Sequence, residues 1–136
     1  MKPKLANLDL GYLTERIVIS ELLKRNFKIY DPLMEGGVVD FICYKNKIFK
    51  KLQIKTAYFD KKLDRYRLTL LRTRHQKYNM KDFDFFVSYL YEHKVFYIVP
   101  TNKVGNQNCI NLYPHREKLG KNIYEKYKNN FGLLEN

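Results

Sequence analysis

Val38 to Ala57 reads VVDFICYKNKIFKKLQIKTA. Two apolar runs, Val38 to Tyr44 and Ile48 to Thr56, flank Lys45-Asn46-Lys47. β-Branched and aromatic runs broken by a short polar stretch predict a β-hairpin. If the loop holds two residues, Lys45-Asn46 or Asn46-Lys47, the pairing sets Asp40 opposite Lys51 or Gln53. Opposite residues point to the same side, so Asp40, Gln53 and Lys55 converge on one face of the sheet. A three-residue loop without a bulge would break that parity.

Upstream, Leu10, Leu13, Ile17, Leu22 and Leu23 recur at helical spacing between the N-cap candidates Asn7 and Asp9 and the C-terminal Asn26. Glu15 shares a partly apolar stripe with Tyr12, Ile19 and Leu22, where a carboxylate needs a partner. Phe27 to Tyr30 predicts a short strand stopped at Asp31-Pro32, and Met34 to Gly37 (MEGG) a loop. Downstream, Arg65 to Leu71 predicts a third long strand, followed by the basic run RTRHQK and a short helix or turn. DFFVSYLY and KVFYIVP form a second hairpin across Glu92-His93, and CINLYP adds an edge strand ended by Pro114. Leu119, Ile123, Tyr127 and Phe131 predict a C-terminal helix. The order of helix, mostly sheet, then helix predicts an α/β or α+β sandwich. No repeat or low-complexity linker interrupts it, so residues 1–136 are read as one domain, with a core over 8–114 and a C-terminal helix over 115–131.

The formal charge of +12 favours an anionic partner, nucleic acid ahead of a membrane surface. No apolar run approaches the roughly 20 residues of a membrane span, and the N-terminus lacks a signal-peptide core. The chain is therefore read as intracellular (cytoplasmic), with no membrane partner. Cys43 and Cys109 lack zinc-site spacing and are read as buried reduced thiols. His75, His93 and His115 lack ligand spacing and are read as solvent-exposed. Many of the tyrosines adjoin lysines, a pattern that suits nucleic-acid contact as well as ordinary strand packing.

Glu15 on a helix, Asp40 on the first hairpin strand and Gln53-Ile54-Lys55 on the second resemble the PD-(D/E)xK nuclease superfamily. Val39-Asp40 stands where that superfamily has PD, and Gln53-Ile54-Lys55 where it has (D/E)xK, with an amide in place of the acid. The sequence looks most similar to the Q-x-K branch that includes group I intron homing endonucleases of bacteria. GYLTERIVISELLKRNFKIYDP, LQIKTA and FDFFVSYLYEHKVFYIVP carry that likeness from Gly11 to Pro100.

The resemblance implies a restriction-endonuclease-like core, a central mixed β-sheet flanked by helices. It implies a Mg²⁺-dependent endodeoxyribonuclease, with Mn²⁺ as a substitute, acting on double-stranded DNA as a homo-dimer or homo-tetramer. Phosphodiester hydrolysis needs a metal to neutralise developing charge and activate water. Asp40, Glu15, the Gln53 amide oxygen and the Ile54 main-chain carbonyl are the expected ligands, one or two carboxylates being enough for Mg²⁺. Lys55 is expected to stabilise the phosphate or orient the water. Arg72, Arg74, Lys77 and Lys51 are the expected DNA contacts. Two rivals stand beside this reading. One is an archaeal-type Holliday junction resolvase on the same fold, against which Gln53 argues, because resolvases keep an acid there. The other is a nuclease fold that binds DNA or RNA without cutting it, in which Gln53 would mark a decayed site.

Overall fold

The computed structural model describes residues 6–33, 37–73, 75–115 and 123–136. A long helix, α1 (Asn7–Lys24), comes first. It starts after Ala6 without a side-chain cap, and it ends as Asn26 turns left-handed at φ 69°. The strands that follow are β1 (Lys28–Tyr30), β2 (Phe41–Lys45), β3 (Ile48–Ile54), β4 (Ala57–Asp60), β5 (Arg65–Thr69), β6 (Leu71–Thr73), β7 (Gln76–Lys77), β8 (Phe85–Leu90), β9 (Val95–Pro100) and β10 (Cys109–Leu112).

The central sheet is mixed, in the order β1-β2-β3-β8-β9, with β3 and β8 parallel and the other neighbours antiparallel. A second sheet runs β10-β5-β4, and β6 and β7 form a small hairpin. β10 is an edge strand, as expected; β4, which the sequence pattern does not announce, pairs with β5. The region expected as one strand from Arg65 to Leu71 is divided between β5 and β6.

Side-chain alternation divides the interior in two. On one face of the central sheet, Phe41, Cys43, Leu52, Ile54, Val87 and Ile98 pack under Val18 and Leu22 of α1. On the other, Phe86, Tyr97 and Val99 pack against Tyr66, Leu68, Ile110 and Leu112 of the second sheet. Thr14, Val18 and Leu22 are the buried positions of α1, four residues apart and therefore on one side of the helix.

Three expectations change at this point. The C-terminal helix is expected over 115–131, of which 116–122 lie outside the described residues. From 123 onward the chain makes short 3-10 turns at Glu125–Tyr127 and Phe131–Glu135 instead of a continuous helix. The physical reason is Asn129, left-handed at φ 54°. Its Oδ1 accepts the Phe96 N–H at 2.8 Å and its own N–H donates to the Phe96 carbonyl at 2.7 Å. With Lys128 bridged to Tyr97, this segment covers an edge of the sheet that would otherwise be open. Among the histidines, His75 is exposed but His93 is half-buried. The His93 Nδ1 lies 3.0 Å from the Tyr66 hydroxyl, and its ring stacks on His115, which meets Asp64 at 2.7 Å. Both cysteines are free thiols, Cys43 buried as expected but Cys109 only half-buried, because its strand β10 lies at a sheet edge.

Candidate functional site

The β2–β3 hairpin sets the geometry. Lys45 pairs with Ile48, so the loop is Asn46-Lys47, with both residues at positive φ (55° and 67°) as the tight twisted turn requires. The register runs Phe41 opposite Leu52, and the Asp40 N–H donates to the Leu52 carbonyl at 2.9 Å. Asp40 therefore adjoins Gln53, one of the two registers expected. Its Oδ2 accepts the Ile54 N–H at 2.8 Å, fixing the carboxylate across the strand.

Gln53 pairs with Phe86 of β8 and sits on the same sheet face as that ring. It is buried, and its Oε1 has no hydrogen-bond partner among the described residues. Lys55 follows the end of β3, its N–H donating to the Val87 carbonyl at 2.9 Å. Its ammonium donates to the Leu71 carbonyl at 2.9 Å and stands 5.5 Å from the centre of the Tyr78 ring.

Glu15 reaches the same region from α1. The preceding residue, Thr14, is buried; its hydroxyl donates to the Leu10 carbonyl and shares a hydrogen bond with the Tyr91 hydroxyl, both at 2.7 Å. That clamp fixes the turn that carries Glu15. Burial pushes the Glu15 carboxyl above its ordinary range; the negative charges of Asp40 and Asp31 add to the rise and Arg16 opposes it. Burial likewise raises Asp40, against the Ile54 N–H and the charge of Lys55. Burial lowers Lys55, which Asp40 partly offsets. Two carboxyls and one ammonium thus lie close enough to sense one another in a half-buried place. Tyr78 shares it: burial raises its hydroxyl, as does the charge of Asp40, with Arg72 opposing.

The other expected residues lie around this group. Lys51 is exposed one row along the hairpin from Gln53, opposite Ile42. Arg72 and Lys77 sit on the β6–β7 hairpin, where Lys77 Nζ donates to the Asn106 carbonyl at 3.2 Å. Arg74 lies outside the described residues. Ile54 is buried on the α1 side, and it is its N–H that meets Asp40. Sequence reasoning misses Thr14, Tyr91, Tyr78 and the Leu71 carbonyl, because nothing in linear order couples position 14 to 91 or 55 to 71 and 78.

These observations bear on whether a cation fits. Among the described residues no three His, Cys, Asp or Glu side chains gather as a metal-binding group. A cation at Asp40 would rely on two carboxylates, an amide oxygen and water. Mg²⁺ and Mn²⁺ accept such hard oxygen sets, and Mg²⁺ keeps several waters. The Gln53 Oε1, without a partner among the described residues, and the raised carboxyls suit a positive charge at this place.

A mixed sheet with α1 on one face and Asp40, Gln53 and Lys55 on the other gives a restriction-endonuclease-like core. The family model described as PD-(D/E)XK endonuclease matches residues 6–134, and the chain belongs to that family. Among solved structures, the chain is similar to a bacterial homing endonuclease, I-Ssp6803I. The TM-score is 0.81 at 24% sequence identity, over 96% of this chain and 91% of that one, a likeness that establishes the fold. No curated protein matches the sequence.

Proposed function

We propose that this chain is a divalent-metal-dependent endodeoxyribonuclease that cuts double-stranded DNA inside the cell, of the homing type and acting as a homo-dimer or homo-tetramer. The observation that carries this reading is the buried Gln53 Oε1, without a partner among the described residues, beside Asp40 on a shared face of the hairpin. A buried acceptor left unpaired costs about 1–3 kcal/mol, which a bound cation offsets.

Asp40 is the principal ligand, held by the Ile54 N–H, with Gln53 and Glu15 completing the protein's share and the Ile54 carbonyl available as a further oxygen. Mg²⁺, or Mn²⁺ in its place, would neutralise charge on the phosphate and lower the pKa of the attacking water. Lys55 meets the phosphate by exchanging its Leu71 carbonyl for a phosphate oxygen, and its burial makes that exchange favourable. Arg72, Arg74, Lys77 and Lys51 meet flanking phosphates. Among the described residues no helix is long and apolar enough to cross a membrane, and the reading includes no membrane partner.

The test incubates the purified protein with linear duplex, supercoiled duplex and four-way junction DNA in Mg²⁺ or Mn²⁺, beside Asp40→Ala. Duplex cutting that the variant lacks supports the reading. Symmetric junction cutting moves it to a resolvase, and tight binding without cutting of any DNA, including a library of long duplexes, moves it to a binding module.

A further inference from the structure

The face of the hairpin that carries Asp40 and Gln53 continues away from them as a row of aromatic side chains. In register, Lys28 lies beside Tyr44 and Tyr44 beside Phe49; one step nearer the acid, Tyr30 lies beside Ile42 and Ile42 beside Lys51. Alternation sends all six to one side, because Ile29, Phe41, Cys43 and Leu52 between them pack toward α1. The second sheet packs against β8 and β9 on this side and leaves the end of the β1–β3 half away from Gln53 uncovered: Tyr30 is 48% and Phe49 60% exposed. The rings touch one another, Tyr44 to Phe49 at 4.4 Å and Tyr30 to Phe49 at 6.1 Å between centroids. Contiguous exposed apolar surface of this kind is where proteins commonly meet partners.

We propose that this aromatic face is a docking surface for duplex DNA alongside the cleaved phosphate, an inference that rests on the nuclease reading. Three observations choose the occupant. The patch is continuous with Asp40 and Gln53 on the same strands. Exposed Lys28 and Lys51 flank it, placing cations where phosphates would run. A second copy pairing through this same face would set its own Lys28 and Lys51 against these lysines, whereas DNA brings the opposite charge. Four residues of strand separate Phe49 from Gln53, about 13 Å, which is roughly four base steps along a duplex. The rings then meet sugars and base edges a few steps from the cut, where Phe49 and Tyr30 contribute apolar contact and Lys28 and Lys51 contribute charge.

The test measures affinity for a mixed-sequence duplex in Ca²⁺ at several salt concentrations, for the full chain, Phe49→Ala, Tyr30→Ser and Lys51→Ala, with sedimentation and thermal melting of each. Expected is a loss of about tenfold for Phe49→Ala at every salt concentration with an unchanged salt slope, because no cation is removed. Phe49→Tyr restores the affinity, and Lys51→Ala flattens the slope by about 0.9. If Phe49→Ala fails to fold, the same comparison is read from Tyr30→Ser. Unchanged affinity overturns the proposal, as does a variant that loses self-association while each copy binds DNA as before. The two readings fail separately. A protein that cuts duplex in Mg²⁺ but ignores Phe49→Ala overturns the docking surface alone. One that binds through Phe49 yet cuts nothing overturns the nuclease alone.

Discussion

Asp40, Glu15 and Lys55 each pay for their neighbourhood: burial disfavours the charged form of all three. Folded Asp40 and Glu15 hold protons more tightly than their ordinary values of 3.8 and 4.5 imply. The metal-free protein therefore loses stability as pH rises from those values through the raised folded ones, and keeps what the carboxyls contribute below them. Asp40→Asn removes the charge while its Oδ1 can still accept the Ile54 N–H. In chelator at neutral pH it should melt above the parent protein, Mg²⁺ should close the gap by stabilising only the parent, and cleavage should vanish. A variant that melts lower in chelator would show that Asp40 is stabilised chiefly by Lys55. Gln53→Glu adds a third carboxylate beside two raised ones. Calorimetry should find tighter Mg²⁺ binding and a lower melting temperature without metal; weaker Mg²⁺ binding would remove Gln53 from the metal shell.

At the scale of elements, the hairpin is legible in the sequence because its loop is short and its parity strict. Asn46 and Lys47 both take left-handed angles, and one residue more would have turned Gln53 to the α1 side. Lys47 is an imperfect residue for φ 67°, where a Cβ costs about 1–2 kcal/mol. Lys47→Gly should therefore stabilise the protein by about 1 kcal/mol in urea unfolding without moving the cleavage rate. A destabilised variant would mean that the lysine side chain matters more than its backbone. The C-terminal segment is not legible. Tyr127 and Phe131, spaced like one face of a helix, are both buried, yet they belong to separate turns split by Asn129. The need to cover β9 outweighs the local pattern, and a tertiary need of that kind leaves no mark in periodicity.

At the scale of the whole molecule, the excess of 26 Lys and Arg over 14 Asp and Glu predicts steep salt dependence for any DNA complex. Changing Arg72 and Lys77 together to Ala should flatten the log–log slope by about 0.9 for each phosphate that the variant no longer neutralises. An unchanged slope would take the β6–β7 hairpin off the DNA face. The candidate site itself is legible in part. Glu15, Asp40, Gln53 and Lys55 come to one region from α1 and one hairpin, but Tyr78, Tyr91 and the Leu71 carbonyl are brought in by packing that only the closed fold creates.

The parallel pairing of β3 with β8 has a consequence for how such a chain is made. Gln53 rests beside Phe86, and Lys55 is held by the Val87 carbonyl, only after everything from β4 to β7 has looped out and the later strand has returned. Closing a loop of that length costs entropy that local contacts cannot recover early. During synthesis the hairpin with Asp40 leaves the ribosome well before β8 exists to seat its second strand. A half-made molecule thus holds the acid, the amide and the lysine without the frame that aligns them until the chain has grown past Leu90.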